Sequence, residues 1–138
     1  MPTIPRETLP ERPQQLVHLL ETGEAAVGLL APDLLADLNV PGWRFQTKGD
    51  ADFVAWQRGE LPDGCRMEVG RFVPTADGWL METVQWVASR RGELMFRNVS
   101  FVRAPGGGPI EELVLYCTGE WDEEQRRRQA LEAPMYEA

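Results

Sequence analysis

Apolar residues recur along this chain at two periods, one helical near the start and one alternating through the second half. Leu16, Leu19 and Leu20 share one helical stripe with Val17 at its edge, which predicts a helix from Arg12 that Gly23 ends. His18 falls opposite that stripe, toward solvent. A second short helix is expected over Glu24 to Leu30, ending before Pro32. Asp33 to Val40 reads as a first strand, Pro41-Gly42 as a turn, and Trp43 to Thr47 as a second extended segment. Gly49-Asp50 opens a helix with Phe53 and Trp56 on one side and Asp50 as its cap. Residues Gly59 to Gly64 form a polar loop.

From there on the alternation is that of a bent antiparallel sheet. Ala76-Asp77-Gly78 and Arg90-Arg91-Gly92 each fit a three-residue hairpin loop with glycine in the left-handed position. That register sets Phe72 opposite Glu82, Glu82 opposite Ser100, Val84 opposite Asn98 and Trp86 opposite Phe96. One face then carries Phe72, Leu80, Val84, Trp86, Leu94, Phe96 and Val102, with Glu82, Asn98 and Ser100 among them. The other carries Arg71, Thr83, Gln85, Arg97 and Arg103 among Met67, Val69, Met81, Val99 and Phe101, so the first is taken as the covered face. Leu113, Leu115 and Cys117 extend it in one register, which leaves Tyr116 on the other side for a dimer surface. The opposite register brings Tyr116 to the pocket, and the three glycines before the strand leave both open. Asp122 and Gln125 form a capping pair for a last helix, which carries Arg126 to Arg128 and ends at Pro134. The organisation expected is a loose arm over residues 1–11, one domain over 12–133 and a tail over 134–138.

Composition narrows the function classes. A chain of 138 residues, 43% hydrophobic and with five tryptophans, has the makings of one packed domain. With 22 acidic against 14 basic residues, its formal charge of -8 argues against nucleic acid. No run approaches the roughly 20 apolar residues of a membrane span, and the start lacks a signal-peptide pattern. Cys65 and Cys117 are too few for a disulfide framework, and one histidine removes most zinc arrangements. The expectation is a reduced, cytoplasmic protein without metal or cofactor.

Helices followed by strand, helix and meander give an α+β domain with its helices on one face of the sheet. Over Arg12 to Glu132 the chain resembles the nuclear transport factor 2-like superfamily, in particular its SnoaL-like members. The residues that carry the resemblance are Leu30-Ala31-Pro32-Asp33, Val40-Pro41-Gly42-Trp43 and Thr75-Ala76-Asp77-Gly78-Trp79-Leu80-Met81-Glu82. Ile110-Glu111-Glu112-Leu113 and Tyr116-Cys117-Thr118-Gly119-Glu120-Trp121-Asp122 add to them, the last resembling a bacterial subgroup. The resemblance implies a cone-shaped fold with N-terminal helices over a concave sheet, a small-molecule pocket between them and frequent dimerisation through the convex side. Such proteins include polyketide cyclases, ketosteroid isomerases, dehydratases and epoxide hydrolases, beside plain binding modules. Where isomerase-like relatives place a catalytic carboxylate on the first strand, this chain has Leu38 as the closest match, and its first helix offers no tyrosine at the pocket side.

Within that frame Glu82 is the leading candidate for acid/base work, because a carboxylate among Leu80, Val84 and Trp86 is costly to keep charged. The other reading makes it structural, bonded to Ser100 or paired with Arg66 or Arg44. Asn98 and Ser100 would orient a substrate oxygen or, equally, satisfy Glu82 or a bulge. Trp43, Trp56, Phe72, Trp86 and Phe96 are candidate walls for a small apolar or aromatic molecule, with packing in the core as their alternative role. Asp37 reads as solvated or loop-bonded, and Cys117 as an inert core thiol. Two functions therefore stand open: a cofactor-independent cyclase, isomerase or dehydratase, and a non-catalytic binding or dimerisation module.

Overall fold

The computed structural model describes residues 2–136. In chain order it runs α1 (Glu11–Thr22), β1 (Leu30–Val40), β2 (Trp43–Lys48), α2 (Asp50–Glu60), β3 (Arg66–Thr75), β4 (Gly78–Ser89), β5 (Gly92–Arg103), β6 (Ile110–Cys117) and α3 (Glu123–Glu132). The strands make one open sheet ordered β2-β1-β6-β5-β4-β3. It is mixed: β1 lies parallel to β6 and every other pairing is antiparallel. The meander of the sequence reading thus holds for β3 to β6, and the last strand returns beside the first.

Helix α1 buries Leu16, Val17, Leu19 and Leu20, the stripe expected of it, and stops at Gly23 in the left-handed conformation. The predicted helix over 24–30 does not form. Gly28 is left-handed and Leu29 donates to the Ala26 carbonyl in a turn, so the apolar pair Leu29-Leu30 instead leads into β1. Helix α2 begins as expected, with Gly49 rather than Asp50 at the cap position. Asp122 and Gln125 make the reciprocal capping box of α3.

The N-terminal arm is docked. Ile4 donates its N–H to the Val69 carbonyl on β3, an edge strand, and Leu9 is buried. Arg6 forks onto both oxygens of Glu21 on α1, at 2.6 and 3.0 Å, and reaches the Met67 carbonyl.

The inner face of the sheet is the one under α1 and α2. It presents Leu34, Ala36 and Leu38 from β1, Met67 and Val69 from β3, Met81 from β4, Val102 from β5 and Leu113 from β6, all buried in one cluster with Phe53 of α2. Strand β4 is one residue out of the expected phase. Both hairpins are two-residue turns: Thr75 pairs with Gly78 and Ser89 with Gly92. Glu82 therefore pairs with Arg71 and Val99, Thr83 with Asn98, and Trp86 with Met95. Because side chains alternate, that single step turns Leu80, Glu82, Val84 and Trp86 outward and brings Trp79, Met81, Thr83 and Gln85 inward. Gly78 explains the misreading. It serves a close approach and not a left-handed turn, since a Cβ there would stand 1.8 Å from the Val102 carbonyl oxygen.

Candidate functional site

A cavity of about 360 Å³ opens between the end of α1, α2 and the inner face of β4 to β6. Its walls are apolar: Leu20, Phe53, Trp56, Leu61, Met67, Val87, Leu94, Phe96 and Leu115. Three amides, Gln57, Gln85 and Asn98, join them, with Cys117 on the last strand. Glu60 and Glu120 are the carboxylates at its lining, both exposed. Size and composition are those of a small-molecule pocket with a few convergent polar groups.

The end of α1 organises the polar side. A helix leaves its last carbonyls without intrahelical partners, and here the neighbours supply them. The Leu20 carbonyl accepts from Gln57 Nε2 at 2.7 Å and from the Cys65 thiol at 3.4 Å, while the Glu21 carbonyl accepts from the Cys65 N–H. Gly64 allows this approach, since a Cβ there would meet the Glu21 carbonyl oxygen at 2.5 Å. Beyond the thiol, Gln85 Nε2 donates to Cys65 Sγ at 3.5 Å, and Asn98 Nδ2 donates to Gln85 Oε1 at 3.2 Å. Burial pushes both the Cys65 and Cys117 thiols above their ordinary pKa. For Cys65 the Gln85 amide opposes that push and Glu21 adds to it, and for Cys117 the Gly119 N–H opposes it.

Among the residues proposed from sequence, Trp56, Phe96 and Asn98 line this cavity. Ser100 also points inward and is buried, but lies outside the lining, and its hydroxyl has no partner among the described residues. Phe72 is on the inner side too, stacked at a tilt against Trp79 away from the cavity. Trp43 stands at the β1–β2 turn, 71% exposed.

Glu82 and Trp86 require correction. Both lie on the outer face, for the reason of strand phase given above. The Glu82 carboxylate is 3.9 Å from the Arg71 guanidinium, and neither Ser100, Arg66 nor Arg44 is its partner. The Trp86 indole donates to Glu68 at 2.9 Å under the guanidinium groups of Arg66 and Arg126. Asp37 is held by Arg44 through two bonds of 2.6 and 2.8 Å, which lowers its pKa; Gln46 and Asn39 assist and desolvation opposes. His18 faces solvent beside Glu24, as its helical phase required.

The sequence reading missed Gln57, Gln85 and Cys65. Gln57 had a signal: it follows Phe53 by four residues and Trp56 by one, on the same side of α2. Gln85 needed only the correct phase of β4.

No family model matches the chain, and no curated protein matches its sequence. Solved structures do match its fold. A protein of ketosteroid isomerase-like fold from Catenulispora acidiphila, in complex with trimethylamine, superposes with a TM-score of 0.62 at 12% identity, over 80% of this chain and 88% of that one. A SnoaL-like polyketide cyclase candidate from a Jannaschia species gives 0.59 at 10% identity, over 90% and 93%. A nuclear transport factor 2-like protein of unknown function from Burkholderia xenovorans gives 0.57 at 14% identity, over 86% and 89%. The chain has the α+β cone fold of nuclear transport factor 2-like proteins. Identities this low establish fold alone, and a fold of this kind hosts many activities. No helix among the described residues is long and apolar enough to cross a membrane.

Proposed function

We propose that this protein binds a small, largely apolar molecule in the inner-face cavity and does not use Glu82 for acid/base chemistry. One observation carries the reading: the buried polar side chains of the cavity, Gln57 and Asn98, are neutral amides, Gln85 and Cys117 beside them are half-buried, and its two carboxylates are exposed. Proton transfer at carbon is most often run by a carboxylate or imidazole held against the substrate; the buried end of this cavity presents neither, and burial keeps the Cys117 thiol protonated. The complex of the Catenulispora neighbour with trimethylamine adds that this fold accommodates small molecules. The binding-module reading is thereby preferred to the cyclase, isomerase or dehydratase reading. A thermal-shift screen of apolar alcohols, ketones, acids and bicyclic aromatics tests it. Hits that Phe96→Glu abolishes, with no product formed from any of them, support the proposal. Turnover of a hit that Phe96→Glu abolishes together with its binding, or the absence of any hit, sinks it.

A homodimer formed through the outer face is part of the same proposal. Val99, Phe101, Val114 and Tyr116 form an apolar patch there, with Phe101 46% and Tyr116 53% exposed and their rings packed edge to face. Light scattering at micromolar concentration should give twice the chain mass, reduced to the chain mass by Phe101→Glu. The two free thiols suit a cytoplasmic setting.

A further inference from the structure

Asn98 is 4% exposed and lines the cavity, yet its Oδ1 accepts no hydrogen bond from the described residues. This oxygen has almost no accessible surface, and leaving it unpaired there is costly, so an occupant of the cavity that brings a donor up to it gains by pairing it. Which end of an amide faces outward is decided by its neighbours, and here a fixed group decides it. The Leu20 carbonyl can only accept, and beside the Gln57 amide it takes the S–H proton of Cys65. The sulfur then receives the Gln85 N–H, which turns Gln85 Oε1 toward Asn98. That oxygen in turn takes the Asn98 Nδ2 proton, leaving Oδ1 as the free end. Gln57 is committed by the same carbonyl, which binds its nitrogen and leaves its oxygen as the end not so engaged. Thr83 stands directly across from Asn98, but its hydroxyl makes no bond to it and Thr83 does not line the cavity.

We infer that the cavity selects ligands carrying a hydrogen-bond donor, a hydroxyl or N–H, for Asn98 Oδ1, and that Cys65 is the positioning residue that fixes this preference from the end of α1. The inference rests on the binding reading above and names the chemistry of the occupant. A ketone, an ether or a hydrocarbon of the same shape satisfies the apolar walls and leaves the acceptor bare. A carboxylate meets acceptors inside and Glu60 and Glu120 at the lining, so anions are disfavoured.

Isotope-edited NMR titration with 2-naphthol, 2-methoxynaphthalene and 2-naphthoate tests this, read at the amides of Phe53, Phe96 and Leu115. The alcohol should bind about tenfold more tightly than its methyl ether, and the naphthoate most weakly. Asn98→Leu should bring the alcohol-to-ether ratio close to one. Cys65→Val should lower the same ratio, because Gln85 and Asn98 are then free to reverse, and Cys65→Ser should restore it. The serine rescue separates orientation from packing, and it keeps the test decisive should Asn98→Leu fail to fold. Equal binding of alcohol and ether by the unaltered protein overturns the inference and leaves the binding reading standing. A ratio unchanged in Cys65→Val removes Cys65 from it. Failure of all three probes to shift any cavity resonance at millimolar concentration sinks both.

Discussion

Arg126 on α3 lies over the indole of Trp86 on β4, its guanidinium carbon 5.3 Å from the ring centre. Arg66 covers the same ring at 5.4 Å, and the indole N–H is tied to Glu68. Arg126 also donates to the backbone carbonyls of Glu93 and Trp121. One outward tryptophan thus fastens a helix with no buried residue of its own to the outer side of the sheet. A half-exposed cation over an indole is worth about 1 kcal/mol, so Arg126→Ala should cost about that much. Trp86→Ala should cost about 2 kcal/mol, since the apolar contact is lost as well. Hydrogen exchange should accelerate over residues 123–132 first in both variants. Ligand affinity of the cavity should stay within twofold, and a large loss there would return Trp86 to the pocket.

The position of Glu82 makes a plain forecast. Its nearest cation is at 3.9 Å and the pair is largely exposed on the arginine side, so the interaction is worth about 0.5 kcal/mol or less. Glu82→Gln should leave stability almost unchanged by urea denaturation and should leave ligand binding and any turnover intact. A variant that folds normally and loses activity by a hundredfold would restore the acid/base reading.

Two glycines that look alike in sequence should respond differently to alanine. Gly78 has an ordinary backbone angle but faces the Val102 carbonyl, and an added Cβ would overlap it at 1.8 Å. Relief requires moving β5 itself, so Gly78→Ala should cost more than about 3 kcal/mol. Gly106 has φ +66° with nothing within 4 Å of an added Cβ, so Gly106→Ala should cost about 1 kcal/mol from backbone strain alone. Chemical denaturation of the two variants settles the comparison. Equal costs would mean that β4 and β5 do not approach as described.

The same glycine marks where the sequence stopped being legible. Hairpin register placed Phe96, Asn98 and Ser100 inward, as the structure has them, whereas the face of Tyr116 was open from sequence because β6 carries apolar residues on both sides, Leu113 and Leu115 against Val114 and Tyr116. Strand β4 carries apolar residues on both faces, Leu80, Val84 and Trp86 against Trp79, Met81 and Val87, so its phase hung on loop length. Glycine at a hairpin fits both a left-handed loop position and a first strand residue pressed against its neighbour. The helix expected over 24–30 failed for a related reason: Ala25-Ala26-Val27 favours a helix locally, while Leu30 is claimed by pairing with Ile110, eighty residues away in the chain. The parallel contact of β1 with β6 leaves no local trace at all. Cys65 was unreadable as part of the site because its role arises from a helix end that only the folded chain brings to it.

The thiols give a prediction whose sign follows from burial. Desolvation raises the pKa of Cys65 and Cys117 above the ordinary thiol value of 9.0, and the thiolate is the species that reacts. At pH 8 the folded protein should therefore react with a disulfide reagent at least about tenfold more slowly than the chain in denaturant, with access adding to the effect of the missing thiolate. A group whose pKa rises on folding binds its proton more tightly in the native state. Its contribution to stability is present below the unfolded pKa and is lost as pH climbs through the folded one, so stability should decline above about pH 9. Cys117 lines the cavity and Cys65 stands behind Gln85, so a bound ligand should protect Cys117. Mass spectrometry of the labelled peptides separates the two sites. Native and unfolded rates that coincide, or a ligand that leaves Cys117 labelling unchanged, would contradict the burial of these thiols and the position of the cavity beside the last strand.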